Sequence, residues 1–241
     1  TEKETSIEDG STTAEVFNTL DESASKTEEW VIKNQKYIFI IVGLAAVMVL
    51  GFLGFDKLIQ EPKESVATND MFQSQQYFDQ AVNGASKDSL FTLALNGSDG
   101  KYGFLDIVDV YNGTKAGNLS NYYAGMAYLN MKDYTNAISY LNAFSSEDDV
   151  LGPIAKGGIG DAFVQLEQLE DAYNYYVQAA ELKSNDYTTP MYLYKAGVIG
   201  LQLENNAKAL GFFNRIKLDF PQSTEAKNID VFIGKAEAAS N

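Results

Sequence analysis

Residues 37–55 read YIFIIVGLAAVMVLGFLGF, nineteen residues without a charge. As a helix this run is about 28 Å long, close to the hydrocarbon thickness of a bilayer. A core helix of a soluble domain keeps one polar face, and this run has none. It starts too late and runs too long for a cleaved leader, and no A-x-A site follows it. The run reads as a single-pass signal anchor, with Trp30 and Tyr37 at one edge where an aromatic belt sits. Lys26, Lys33 and Lys36 precede it, while Lys57 and Lys63 follow. This small bias favours a cytoplasmic N-terminal side.

Gly43, Ala46, Gly51 and Gly54 cluster toward one side of that helix. Small residues there allow a second membrane helix to approach closely, although they are common in membrane spans of every kind. The expected organisation is a cytoplasmic tail over 1–24, a membrane helix over 25–58, a linker over 59–69 and a folded domain over 70–241. Two capping boxes stand out before the span, Thr12-Thr13-Ala14-Glu15 and Ser25-Lys26-Thr27-Glu28, the second opening the membrane helix. Val16, Phe17 and Leu20 share one helical face after the first. A short docking helix and a disordered tail both fit residues 1–24.

Composition removes several kinds of chemistry. The net charge is −15, which argues against nucleic acid as a partner, since phosphate needs a basic face. There is no cysteine and no histidine. Thiol nucleophiles, Ser-His-Asp triads, disulfides and His or Cys zinc sites are therefore excluded. Only carboxylate chemistry is left to an enzyme. Asp106 with Asp109, and Glu147-Asp148-Asp149, are the acidic groupings for a cation, and both read equally as solvated surface. KGGIG at 156–160 lacks the last glycine of a dinucleotide fingerprint and has no strand before it. Asn96, Asn112 and Asn118 begin N-x-Ser/Thr sequons, and Asp88-Ser89-Leu90 resembles a bacterial O-glycan acceptor. No cofactor site emerges.

From residue 65 onward apolar residues recur at three- and four-residue spacing, which predicts helices throughout. Three copies of one pattern appear when small residues are aligned. Gly125, Gly160 and Gly197 are each followed twelve residues later by Ala137, Ala172 and Ala209. Four residues further on stand Leu141, Tyr176 and Phe213. Each copy predicts two antiparallel helices, with glycine and alanine facing each other at their closest approach. Turns are expected at Met131–Tyr134, near Gln168–Glu170 and near Glu204–Asn206. Pro221 closes the third copy. MFQSQQYFDQAVN and YGFLDIVDVYN form a divergent helical pair upstream, with SLFTLALNGSDG between them as a half-turn and glycine-rich loop. Thr114 is placed to cap one helix and Ser223 a last one through Ala239.

AGMAYLNMKDYTNAISYL, GDAFVQLEQLEDAYNYYVQAA and AGVIGLQLENNAKALGFFNRIKLDFP resemble the tetratricopeptide repeat. Gly200 departs from it, standing where a large residue is usual. The resemblance implies an all-α fold: a single N-terminal transmembrane helix followed by a tetratricopeptide-repeat helical solenoid. It also implies an inner groove lined by Tyr122, Met126, Leu129, Asp161, Val164, Met191, Tyr194, Val198 and Leu201. Leu129 and Val198 fit inter-helix core equally well. Lys, Asn and Arg are nearly absent there, with only Lys195 close by, which argues against a clamp for a terminal carboxylate.

The order of tail, anchor at WVIKNQKYIFIIVG and repeats resembles the YfgM-type proteins of Gram-negative bacteria, and TKAGNLSNYYAGMAYL is similar to the start of their repeat region. The resemblance implies an inner-membrane protein with a periplasmic repeat domain. It implies a non-enzymatic role as an ancillary subunit of the Sec translocon channel. There it works with a PpiD-type membrane-anchored, prolyl-isomerase-like chaperone on exported client polypeptides. A scaffold for another envelope machine fits the same layout.

Overall fold

The computed structural model describes residues 12–84 and 87–240, with side chains described over 27–84 and 87–240. The capping box at Thr12–Glu15 has its side chains outside the described residues. The chain divides into two bodies, residues 1–60 and 61–241.

In the first body, α1 (Thr12–Phe55) is one helix of 44 residues, followed by a π-helical turn at Asp56–Gln60. Ser25 lies inside α1, so it does not open a helix as expected. The most apolar 18-residue window has a mean hydropathy of 2.8 and none of it is buried. This is one helix long and apolar enough to cross a membrane. An ideal Cβ on Gly43, Gly51 or Gly54 meets nothing within 4 Å.

The second body contains α2 (Glu61–Asn83), α3 (Lys87–Asn96), α4 (Phe104–Val110), α5 (Lys115–Asn130) and α6 (Tyr134–Ala143). It continues with α7 (Leu151–Gln165), α8 (Leu169–Leu182), α9 (Thr188–Gln202), α10 (Asn206–Asp219) and α11 (Ile229–Ala239). A 3-10 turn at Glu225–Asn228 precedes α11. Among the described residues there is no strand, only an isolated bridge between Ser98 and Lys101. From α5 onward each helix packs on the one before it and the one after it. Helices α5, α7 and α9 also touch in succession.

Two expectations change. The stretch 59–69, read as a linker, is helical, and Glu64 within it accepts hydrogen bonds from the Lys115 and Ala116 amides at the start of α5. A carboxylate there satisfies two of the free N–H groups that every helix start leaves. SLFTLALN is not a half-turn. It is most of α3, and it buries Phe91, Ala94 and Leu95.

The three hairpins, α5–α6, α7–α8 and α9–α10, are built alike. Lys132, Glu167 and Glu204 take left-handed backbone angles, with φ of 63°, 59° and 60°. In the first hairpin the Asp133 amide donates to the Tyr128 carbonyl at 2.9 Å and the Lys132 amide to the Leu129 carbonyl at 3.2 Å. The same two bonds join Gln168 to Phe163 and Glu167 to Val164, then Asn205 to Gly200 and Glu204 to Leu201. This pair of bonds satisfies the last carbonyls of a helix. The residue that closes one helix then opens the next. The Asp133, Gln168 and Asn205 carbonyls accept from Ala137, Ala172 and Ala209. The second turn therefore sits about two residues earlier than the sequence suggested.

Each repeat glycine faces the large residue of its partner helix rather than the alanine. An ideal Cβ on Gly125 would stand 2.5 Å from Leu141, and one on Gly160 would stand 2.6 Å from Tyr176. Gly197 is closed off in the same way by the Phe213 ring. Alanines 137, 172 and 209 are fully buried. At Gly200 the missing side chain is replaced from the preceding hairpin: the Tyr173 ring comes within 3.4 Å of the Cβ position, and Ala209 within 3.5 Å. The 156–160 glycines lie inside α7, where Gly157 faces the Tyr192 ring and Gly158 faces Leu141. They serve helix packing.

Substituting alanine at Gly125, Gly160 or Gly197 is expected to destabilise the fold by about 1–3 kcal/mol, because the facing side chain must move. Gly211 in α10 has open space at its Cβ, so Gly211→Ala is expected to stabilise by about 0.5–1 kcal/mol through helix propensity. Denaturant titration of the four variants checks both signs.

Candidate inner-face site

Helices α5, α7 and α9 carry the residues expected to line a groove. All nine of the residues expected to line the groove are half-buried. Tyr122 packs between the Tyr123 and Phe144 rings, with centroids at 5.7 and 5.3 Å. Met126 Sδ and Leu129 Cδ2 lie 3.5 and 3.6 Å from the Cβ position of Gly158, so both bridge α5 to α7. Val164, Met191, Tyr194 and Leu201 pack against the core formed by α8 to α11. Tyr194 meets Phe232 of α11 edge-to-face at 4.9 Å. The last helix therefore covers part of the surface that the sequence assigned to a partner.

The remaining tyrosines of α5 and α6 also have packing partners. Tyr123 stacks on Phe104 at 5.0 Å, and Tyr128 stacks on Tyr140 at 5.5 Å. Asp106 accepts from the Gly103 amide, and Asp148 accepts from the Val150 and Leu151 amides at the start of α7. Asp149 sits 3.9 Å from Lys183. Among the described residues no group of three or more acidic side chains is placed to hold a metal ion.

An open cleft of about 360 Å³ remains between the first and second hairpins. Leu129 and Val164 give it aliphatic walls, Asn130, Gln165 and Tyr134 give it polar ones, and Lys132 of the hairpin turn adds a cation at the lining. The Tyr134 hydroxyl donates to Gln165 Oε1 at 3.3 Å. Asp161 and the nearly buried Tyr176 also line it. Asp161 Oδ1 accepts from the Tyr176 hydroxyl and from Lys195 Nζ, both at 2.6 Å. Lys195 Nζ also stands over the rings of Tyr176 and Tyr192, 5.4 and 5.8 Å from their centroids. Those two rings are stacked at 6.3 Å. Sequence reading placed Asp161 and Lys195 near the groove. It did not find Tyr176 or Tyr192, because both lie at positions that pack in the other copies.

Burial, then the Asp161 charge, pushes the Tyr176 and Tyr192 hydroxyls well above the ordinary tyrosine value. Near the other end of the array the Tyr111 hydroxyl donates to Asp70. That bond, followed by burial, raises Tyr111 to about 12. These phenols stay protonated across the physiological range, and those of Tyr176 and Tyr111 donate to Asp161 and Asp70.

Compared with known proteins, the chain matches no family model, and no characterised protein or solved structure matches it significantly.

The raised tyrosine values have a sign. Folding favours the neutral phenol, so its contribution is complete below the unfolded value of about 10 and is lost as the pH rises through the folded values. Stability is expected to fall from pH 10 toward pH 12 and beyond, with a shallower fall in Tyr111→Phe. Tyrosinate absorbance followed alongside helix content checks this.

Proposed function

We infer that the chain is a membrane-anchored, non-enzymatic adaptor or chaperone whose second body is a tetratricopeptide-repeat solenoid. The observation that carries this reading is the recurrence of one hairpin geometry at residues 125, 160 and 197, in a chain that also has a helix apolar enough for a bilayer. Stacked helical hairpins are built to hold other polypeptides along an inner face. The absence of cysteine and histidine from the sequence leaves little chemistry for an enzyme.

In this reading α1 crosses the bacterial inner membrane with its N-terminal side in the cytoplasm and the array in the periplasm. Gly43, Ala46, Gly51 and Gly54 form the face that meets another membrane helix. The partners are the Sec translocon channel, a PpiD-type membrane-anchored chaperone and the exported polypeptides they handle. The resemblance of the anchor and of TKAGNLSNYYAGMAYL to YfgM-type proteins supports that choice of partners.

The chain has no cysteine, so one introduced cysteine gives a single crosslinking point. Ala46→Cys tests the membrane face and Leu129→Cys tests the cleft. Adducts with the translocon channel and the prolyl-isomerase-like chaperone are expected. Abundant adducts with other envelope proteins and none with the channel would replace this reading with the scaffold one. A reporter active only outside the cytoplasm, fused after Asn241, is expected to be active, and silence would reverse the topology.

A further inference from the structure

The repeat scheme itself isolates one unusual place. The position of Asp161 in α7 is occupied by Met126 in α5 and Val198 in α9. The position of Lys195 is occupied by Tyr123 and Gly158, and that of Tyr192 by Ser120 and Ala155. The Tyr176 position carries Leu141 and Phe213, neither of which has a hydroxyl. Four departures from the shared pattern therefore meet at one point. The first copy packs without a charge at any of these positions, and the second and third contribute one charge each, so the packing scheme by itself does not call for this polar inlay.

The geometry points to a cation-binding box for a lysine or arginine side chain of an extended partner polypeptide, occupied in the free protein by the chain's own Lys195. This rests on the inner face being a partner-binding surface. The box has a carboxylate, Asp161, and two stacked phenol rings that face a cation. Aromatic faces attract ammonium and guanidinium groups, most strongly when a carboxylate shares them. The Asp161 and Lys195 side chains are 40% and 34% exposed, so their pair is held loosely and can exchange. Oδ2 of Asp161 has no hydrogen-bond partner among the described residues, and Asp161 lines the cleft.

The cleft also suits the rest of such a ligand. Leu129 and Val164 accommodate the aliphatic stem of a lysine or arginine, and the amides of Asn130 and Gln165 suit a peptide backbone. The excess of acidic residues, a net charge of −15, favours the approach of a basic segment over an acidic one.

The test uses the full chain in detergent micelles and three fluorescein-labelled nonapeptides of one sequence, with a central lysine, norleucine or glutamate. Fluorescence anisotropy is expected to show the lysine peptide binding about tenfold more tightly than the other two. Lys195→Ala, which vacates the box, is expected to tighten the lysine peptide several-fold and leave the norleucine peptide unchanged. Asp161→Asn is expected to abolish the preference. Melting curves verify that both variants are folded, and Lys195→Ser serves as a second vacating variant. Equal binding of the three peptides, no binding of any, or weaker lysine-peptide binding in both Lys195 variants overturns the proposal. If adducts from Leu129→Cys persist when the peptides bind equally, the partner surface stands and only the cation box falls.

Discussion

The second body depends on a helix backbone brought against a large side chain. In each hairpin a glycine on the first helix leaves room for one residue of the second: Leu141 against Gly125, Tyr176 against Gly160, Phe213 against Gly197. No β-carbon intervenes, so the two helices sit closer than ordinary side chains permit. The fully buried alanines one turn away maintain that closeness. Everything else on the inner face follows from it. Because the first helices of successive hairpins also touch, residues such as Met126 and Leu129 become part of the contact between hairpins.

Much of this was legible in the sequence. The glycine–alanine spacing located the three hairpins, and Thr114 and Pro221 marked boundaries that the structure keeps. The direction of the glycine contact was not legible, because spacing tells which residues share a face and not which neighbour fills it. The helix over Lys87–Asn96 was missed although Leu90, Phe91, Ala94 and Leu95 have helical spacing. Ten residues ending in a glycine-rich turn give too short a window for periodicity to stand out. Residues 61–69 are polar enough to read as a tether. Their helix is held by tertiary bonds, Glu64 to the start of α5 and Lys63 to the Asn112 carbonyl, which local propensity does not report.

The site illustrates the same division. A continuous groove was expected along α5, α7 and α9. The structure instead shows a mosaic, with one part buried between hairpins, one part covered by α11 and one part open beside Asp161. The resemblance to the tetratricopeptide repeat assigned these residues to the first helix of each copy, and they lie on α5, α7 and α9. It had no way to register Phe232, which arrives from far along the chain to cover Tyr194. Deviations from the repeat proved more informative than the repeat. Tyr176 and Tyr192 matter because they differ from their counterparts, a signal that emerges once all three copies are laid over one geometry.

The three hairpin turns carry a further consequence. Their left-handed positions are held by Lys132, Glu167 and Glu204, where glycine would take the same angles without steric conflict. A side chain in that conformation costs roughly 1 kcal/mol. Each of the three turns is thus less favourable than a glycine turn would be, and the bonds that close it, together with the buried contacts behind it, offset that cost at the same place in every hairpin.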